Sequence, residues 1–180
     1  MKKTVFSIGY IDSPLGKMIA LANADALVWL SFESSERAKQ SLQHFLKKQG
    51  ASTETKPSSV LTQLTTELEQ YFKHQRTAFT VPLKPMGTAF QQSVWQSLLA
   101  IPFGETRSYL DLAKHIQHPK AFRAVALANG ANPISLMIPC HRVINHNGKM
   151  GGYSGGMEKK IGLLNHESKH PVFAAIKDIF

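Results

Sequence analysis

Cysteine is the residue that this sequence most nearly lacks, since Cys140 is the only one in 180 residues. A single cysteine cannot form a disulfide within the chain, and it excludes a zinc site built from several thiolates. Long apolar runs are missing as well, because none approaches the ~20 residues that a membrane-crossing helix needs. Asp12, Pro14 and Lys17 interrupt the apolar stretch after the N-terminal lysines, which argues against a signal peptide. We therefore predict a cytoplasmic protein that is not inserted in a membrane.

Acidic residues are also scarce, and the chain carries a formal net charge of +9. Most of the excess lies between residues 107 and 160, where eight lysines and arginines stand against only Asp111 and Glu158. Cys140 lies inside this basic stretch. A basic surface attracts polyanions such as nucleic acid by long-range steering. A solvated face without any partner has the same composition, so the charge alone leaves both interpretations open.

The first half of the sequence has the pattern of a small mixed domain. Three short apolar runs are separated by turn signals, namely TVFSIGYI, KMIALA and LVWLSF. They predict a three-stranded antiparallel meander. The spacing of apolar residues predicts amphipathic helices at 35–48 and 60–72, with a polar loop containing Pro57 between them. FTVPL, at 79–83, has the composition of one further strand.

The pattern of the sequence changes after this half of the chain. Pro82, Pro85 and Gly87 mark a linker, and the sequence beyond it is mostly helical. We therefore predict an α+β protein with two domains, an N-terminal α/β domain at 1–85 and a helical domain at 86–180.

The second predicted domain begins with three helices, at 88–101, 108–116 and 120–129. The last two are short and joined by a tight turn, which is the helix-turn-helix pattern. The apolar run ISLMI, at 134–138, is predicted as a strand or extended segment that leads into Pro-Cys. A closing helix is predicted at 157–167.

Glycines are concentrated just before the closing helix, in GGYSGGMEKK. This segment matches neither a Walker loop nor a dinucleotide fingerprint, because neither spacing fits. Its glycines suit a backbone that lies close to a ligand or to another segment. We predict no cofactor and no metal site.

The predicted helix KAFRAVALAN is rich in alanine, and we predict Arg123 as its only large exposed side chain. A helix that reads the major groove carries several long polar side chains, whereas small side chains permit close approach to the narrower minor groove. One arginine on such a face would be able to enter the base stack. A core helix packed tightly against its neighbours has the same composition, so both interpretations stand.

Cys140 occurs in the sequence Ile-Pro-Cys-His-Arg-Val. A thiol is mostly protonated at neutral pH, so a cysteine nucleophile needs a base or a positive charge nearby. His141 is adjacent and would act through a bridging water, because neighbouring side chains often point apart. Glu167 shares one helical face with Lys160 and Leu164 and would orient the imidazole. A buried structural thiol and a surface glutamate are the alternatives that the residues leave open.

Four segments together resemble one family. Pro-Cys-His-Arg-Val resembles the active-site signature of the O6-alkylguanine-DNA alkyltransferases, also called methylated-DNA–protein-cysteine methyltransferases. GETRSYLDLA, FRAVALANGANP and GKMGGYSGGMEKKIGLLNHE resemble other motifs of the same family, and the resemblance covers about residues 88–168. It implies a ribonuclease H-like N-terminal domain, which the first 85 residues match more loosely, and a winged-helix-like domain with the helix-turn-helix.

The resemblance also implies the catalytic residues. Cys140 would attack the alkyl carbon of an O6-alkylated guanine and become an S-alkylcysteine. His141 would accept the thiol proton through a water, Glu167 would orient His141, and Asn132 would hold the turn that carries the cysteine.

Further residues would bind the DNA. Tyr109 would supply a proton to the departing guanine, and Arg123 would fill the gap that the flipped nucleotide leaves. The base would be bordered by the carbonyl groups of Cys140 and Val143 and by the backbone at Ser154.

The implied partner is double-stranded DNA that carries O6-alkylguanine, and O4-alkylthymine is a further candidate substrate. We expect a monomer that repairs one lesion per molecule, because a thioether has no good leaving group. Three other functions are compatible with parts of the sequence: a lesion-binding protein without transfer activity, a cysteine hydrolase, and a basic structural domain with an inert thiol.

Overall fold

The computed structural model describes residues 4–33 and 36–169. The chain divides into two compact units, Met1–Pro85 and Met86–Phe180. The first unit contains a sheet with two helices, and the second contains four α-helices with very short strands. This architecture confirms the predicted α+β class.

The first unit is built on a four-stranded sheet in the order β3-β2-β1-β4. Its strands are β1 (Thr4–Ile11), β2 (Met18–Ala22), β3 (Leu27–Phe32) and β4 (Ala51–Glu54). The first three pair antiparallel as a meander, as predicted. All five residues of β2 are buried, as expected for a central strand that is apolar at every position.

Two helices of the first unit supply the rest of its core. They are α1 (Glu36–Lys48) and α2 (Ser59–Phe72). Phe45 of α1 packs against the rings of Phe6 and Trp29, with centroid distances of 6.1 and 5.0 Å. The helix α1 ends near Gly50, which has a φ of 57°, as the sequence predicts. Both helices lie within one or two residues of their predicted bounds.

Two predictions for the first unit are wrong. The polar loop after α1 contains the strand β4, which pairs parallel with β1. An edge strand needs only one neighbour, so its polar side chains give no alternating apolar signal. FTVPL forms no strand, because Pro82 has no N–H to donate to a ladder. Only an isolated bridge joins Leu83 to Leu27.

The second unit consists of α3 (Ala89–Leu99), α4 (Tyr109–His115), α5 (Phe122–Gly130) and α6 (Met157–Glu167). Capping boxes begin α3 at Thr88 and α4 at Ser108. A 3-10 turn, Pro119–Ala121, joins α4 to α5, so the helix-turn-helix is confirmed and α5 begins two residues later than predicted. Helix α6 has the predicted bounds.

The apolar run at 134–138 is a buried turn and not the predicted strand or extended segment. Leu136 adopts a φ of 72°, in the left-handed region that side chains rarely occupy. The N–H of Ile138 donates to the carbonyl of Ile134 at 3.0 Å, which closes the turn. Two-residue strands β5 (Arg107–Ser108) and β6 (Val143–Ile144) pair parallel beyond it, and their length gave no sequence signal.

Glu67 is a buried carboxylate that fastens α2 to the segment after it. It accepts hydrogen bonds from the side chain and N–H of Thr80, from the N–H of Val81 and from Gln63. Burial raises the pKa of Glu67, but these hydrogen bonds outweigh burial and hold the pKa below its ordinary 4.5. The stabilisation is therefore present above that value and lost as the pH falls through the lowered pKa.

We expect Glu67→Gln to lower the free energy of unfolding by about 1–3 kcal/mol at neutral pH, because the new amide opposes N–H donors. The difference from the wild type should shrink in acid, where Glu67 itself becomes protonated. Urea unfolding at neutral and acidic pH measures both effects. Glu69→Gln, on an exposed position of the same helix, is the control. Equal losses from the two variants would contradict the role given to Glu67.

Candidate active site

Cys140 is 2% exposed and begins a 3-10 turn, Cys140–Arg142. The side chain of Asn132 connects this 3-10 turn to the buried turn at 134–138. Its Nδ2 donates to the Cys140 Sγ at 3.1 Å and to the Ile138 carbonyl at 2.8 Å, while its Oδ1 accepts from the N–H of Ile134 at 3.0 Å. One amide thus binds both ends of the 134–138 turn and donates to the sulfur.

The Cys140 thiol is protonated at neutral pH. Burial raises its pKa above the ordinary 9.0, and this outweighs the opposite effects of the Asn132 hydrogen bond and the Lys160 charge. A protonated thiol is a poor nucleophile. The site therefore needs a base that removes the proton when an electrophile arrives.

The two residues after the cysteine form a buried, hydrogen-bonded group with Glu167 of α6. The Nε2 of His141 is 3.0 Å from the Oε1 of Glu167, and Arg142 donates to both oxygens of that carboxylate at 2.7 and 2.9 Å. Arg142 also donates to the Ile101 carbonyl at 2.6 Å. The N–H of Gly104 donates to Glu167 at 3.3 Å. His141, Arg142 and Gly104 thus all bind one carboxylate, that of Glu167, which is 4% exposed.

The electrostatics of this group keep Glu167 charged and His141 neutral. Burial raises the pKa of Glu167, but the hydrogen bonds from His141 and Arg142, together with the positive charge of Arg142, outweigh it and hold the pKa far below 4.5. Burial lowers the pKa of His141 below 6.5, although Glu167 opposes this effect. We assign the imidazole proton to Nε2, because that nitrogen faces a carboxylate acceptor.

The other ring nitrogen of His141 is then a buried acceptor. His141 is 0% exposed, and its Nδ1 has no hydrogen-bond partner among the described residues. A buried polar atom without a partner costs free energy and calls for a functional explanation. An unused lone pair on a neutral imidazole beside a thiol fits the chemistry of a general base.

Lys160 is a fully buried lysine behind the cysteine. Its Nζ donates to the carbonyl oxygens of Val143 at 2.6 Å and Gly151 at 3.2 Å. Burial lowers its pKa from 10.5 to about 8, and the charge on the Cys140 thiolate opposes that shift. Lys160 therefore joins α6 to β6 and to the glycine-rich loop, and it places a positive charge near the sulfur.

Tyr109, at the start of α4, lies close over the glycine-rich loop. A methyl group added at Gly151 would lie 2.6 Å from the Tyr109 hydroxyl oxygen. Burial and the Cys140 charge raise the pKa of Tyr109 above 10.0, so the hydroxyl keeps its proton. The same two causes raise the pKa of Tyr153, in that loop, well above 10.0.

The structure brings most of the predicted site residues together and leaves two on the surface. Asn132 contacts Cys140, Glu167 contacts His141, and Val143 follows the 3-10 turn and binds Lys160. Tyr109 lies near enough to Cys140 for a thiolate there to raise the pKa of its hydroxyl group. Arg123 and Ser154 are exposed. The surface alternative for Glu167 is excluded, because that side chain is buried.

One prediction about α5 is wrong, because Arg123 is not its only large exposed side chain. Phe122 is 44% exposed and Leu127 is 77% exposed. The helix buries Val125, Ala128 and Asn129, and this turns Leu127 toward solvent. The Arg123 guanidinium lies over the Phe122 ring, 5.7 Å from its centroid.

Sequence reasoning gave no role to three residues of the site. Arg142 was visible only as a positive charge after the cysteine. Lys160 was placed on the face of Glu167, which was the one signal for its burial. The Nδ2 of Asn129 donates to the Cys140 carbonyl oxygen at 3.4 Å, and the sequence predicts no such contact for this helix position.

Two features, a cluster of metal ligands and a membrane-spanning helix, are absent from the residues that the structure describes. Within 4–33 and 36–169, no group of three or more His, Cys, Asp or Glu side chains is placed to hold a metal ion. None of the helices in those ranges is long and apolar enough to cross a membrane.

Comparison with known proteins assigns both halves of the chain to the same family. Two family models match: "6-O-methylguanine DNA methyltransferase, DNA binding domain" at residues 89–169 and "6-O-methylguanine DNA methyltransferase, ribonuclease-like domain" at residues 7–85. A methylated-DNA–protein-cysteine methyltransferase of Mycobacterium leprae is 40% identical over 166 residues, which cover 92% of this chain and 94% of that protein. One of Methanosarcina mazei is 51% identical over 108 residues, covering 60% of this chain and 68% of that protein.

Solved structures agree. The Mycobacterium tuberculosis O6-methylguanine methyltransferase matches with a TM-score of 0.76 and 39% identity, over 90% of this chain and 92% of that one. A structure described as Mycobacterium tuberculosis OGT in complex with DNA matches with a TM-score of 0.74 and 38% identity, over 91% and 93%.

A DNA-binding unit that encloses a cysteine and a buried His–Glu pair defines an enzyme that acts on DNA through a thiol. The chain belongs to the family of the methylated-DNA–protein-cysteine methyltransferases. It is accordingly a DNA-repair methyltransferase that transfers an alkyl group from DNA to cysteine.

We expect Lys160→Met to raise the pKa of Cys140, because the thiolate and the Lys160 ammonium group stabilise each other and the variant removes this coupling. Cys140 is the only cysteine. The Cβ signal of isotope-labelled cysteine, followed by NMR against pH, therefore reports this thiol alone. Lys149→Met, at an exposed position of the same unit, should leave the titration unchanged. An unchanged or lowered pKa in Lys160→Met would contradict the electrostatic role of Lys160.

Proposed function

We propose that the protein transfers the alkyl group of O6-alkylguanine in double-stranded DNA to the Sγ of Cys140, in one step and once per molecule. The observation that supports this proposal best is the buried, unpartnered Nδ1 of His141, the residue that directly follows the only cysteine in the chain. The family transfers alkyl groups to a protein cysteine, and this chain offers one candidate acceptor.

The proposed reaction begins with the thiol proton. A water relays it from Cys140 to the Nδ1 of His141, while Glu167 accepts from Nε2 and favours the resulting imidazolium. Arg142 keeps Glu167 ionised and in place throughout. Asn132 donates to the sulfur and Lys160 lies near it, so the transient thiolate has a hydrogen bond and a nearby positive charge.

Alkyl transfer then exchanges two bonds. The Sγ–carbon bond forms as the bond from that carbon to guanine O6 breaks, and the electron pair of the broken bond stays on the base. The departing guanine takes a proton from Tyr109, and the proton held by His141 restores the tyrosine. A thioether lacks a good leaving group, so Cys140 is not regenerated and the stoichiometry is one lesion per protein.

The substrate must leave the base stack to reach a buried sulfur, because a base within the duplex is shielded. We propose that the exposed Arg123 fills the gap left behind. The flipped base would be bordered by the carbonyl groups of Cys140 and Val143 and by the backbone at Ser154. The Val143 oxygen already accepts from Lys160, and its second lone pair is available to the base. A monomeric state and a cytoplasmic location remain predictions from the sequence.

Incubation with a duplex containing O6-methylguanine tests the transfer directly. We expect the intact protein to gain one methyl group in place of one hydrogen, and peptide mass spectrometry to place it on Cys140. Cys140→Ala should gain nothing and should still bind the duplex. Binding without any mass gain in the wild type would indicate a lesion-binding protein, and repeated turnover would indicate a hydrolase.

Arg123→Ala tests the role of the exposed arginine. We expect it to slow alkyl transfer from duplex DNA by about tenfold or more, because filling of the gap then contributes nothing to nucleotide flipping, which costs a few kcal/mol. The reaction with free O6-methylguanine base needs no flipping and should keep its rate. Single-turnover rates with the two substrates measure the difference. Equal losses on both would contradict the proposed role.

A further inference from the structure

Two large apolar side chains on α5 have no explanation in the function proposed so far. Leu127 is 77% exposed, which is the highest value among the large hydrophobic residues that the structure describes, and Phe122 is 44% exposed. A single exposed leucine is ordinary in a globular protein. These two differ because both are neighbours of Arg123. Leu127 lies four residues after it, on the same helical face, and Phe122 has the guanidinium over its ring at 5.7 Å.

The rest of this face is nearly flat. The other exposed residues between 122 and 131 are Ala124, Gly130 and Ala131, none of which extends beyond a methyl group. Any surface that approaches α5 closely therefore meets Arg123 and Leu127 first. A minor groove of about 6 Å admits such a face only if the long side chains enter the groove.

The positive charge of this part of the chain indicates that the surface that approaches α5 is negatively charged. No aspartate or glutamate occurs between residues 112 and 157, while four exposed lysines and arginines do. The family match at residues 89–169 is to a DNA-binding domain, and α5 lies within it. Proteins that bind the minor groove insert apolar side chains, leucine and phenylalanine among them, between base steps.

We propose that Phe122, Arg123 and Leu127 act together as a wedge on duplex DNA, here called the α5 wedge. Leu127 enters the minor groove one helical turn from Arg123 and packs against the sugars and base edges beside the flipped nucleotide. Phe122 holds the guanidinium by a cation–π contact, so that Arg123 is already directed when it meets the base stack. This inference rests on the proposed function, because it assigns α5 to the DNA that the site repairs.

Leu127→Ala is the first test. Burial of a leucine side chain is worth about 1.5–3 kcal/mol, so we expect lesion-bearing duplex to bind about tenfold more weakly or worse. The dependence of affinity on salt should keep its slope, because no phosphate contact is lost. The melting temperature and the reaction with free O6-methylguanine base should not change. Fluorescence anisotropy at several salt concentrations, with the two further assays, provides the readouts.

Leu99→Ala is the matched control, since Leu99 is an exposed leucine of α3 in the same unit. We expect it to bind DNA as the wild type does. Wild-type affinity in Leu127→Ala, or an equal loss in Leu99→Ala, would overturn the wedge. Failure of the wild type to become alkylated would instead overturn the proposed function, so the two failures are distinguishable.

A pair of substitutions tests Phe122. Phe122→Leu keeps an apolar side chain and removes the ring face, whereas Phe122→Tyr keeps the ring. An exposed cation–π contact is worth about 0.5–1 kcal/mol, so we expect Phe122→Leu to slow transfer from duplex DNA by about two- to fivefold. Phe122→Tyr should retain the wild-type rate. Equal rates in the two variants would contradict the orienting role of the ring.

A second copy of this chain is the other occupant that an apolar face would accept. Sedimentation of the wild type and of Leu127→Ala separates the two cases. We expect both to sediment as the same species. A wild-type dimer that Leu127→Ala dissociates, with DNA affinity intact, would assign the face to self-association and overturn the wedge.

Discussion

The carboxylate of Glu167 is the group on which the rest of the active site depends. A buried charge is costly unless it is paired and hydrogen-bonded. Arg142 supplies the charge and binds both carboxylate oxygens, and the N–H of Gly104 adds a further donor. Burial lowers the pKa of His141 and the charge of Arg142 acts in the same direction, so Glu167 orients the imidazole without raising its pKa above the ordinary value. One buried ion pair thus joins α6 to the turn that carries the cysteine and holds the His141 ring in place.

Two opposing effects act on the sulfur. Burial keeps Cys140 protonated at rest, which protects the only thiol of the chain from adventitious electrophiles. Asn132 and the charge of Lys160 favour the thiolate once a base removes the proton. Reactivity is therefore conditional on the geometry of an arriving alkyl group and is not a standing property of the cysteine.

Much of the fold can be predicted from the sequence, because apolar periodicity and turn-forming residues are local signals. The meander, the helix-turn-helix and the bounds of α6 all follow from apolar spacing. Strand β4 and the turn at 134–138 do not, since the first is polar and the second depends on a left-handed Leu136 that tertiary packing imposes.

The residues of the site also divide into those that the sequence predicts and those that it does not. Cys140, His141 and Glu167 have recognisable residue types and a family motif. Lys160 does not, because its partners are backbone carbonyls, which every residue possesses, and lysine is rarely buried. The exposure of Leu127 depends on which face of α5 packs inward, and an alanine-rich helix leaves that choice to its neighbours.

The contact between Tyr109 and Gly151 separates two adjacent glycines that look alike in the sequence. A methyl group at Gly151 would collide with the tyrosine, whereas one at Gly152 would meet nothing within 4 Å. Substitution by a larger residue should therefore be disfavoured at Gly151 and tolerated at Gly152. A reporter group attached at Gly152 would therefore leave the Tyr109 side chain undisturbed, which makes this position suitable for engineering the loop.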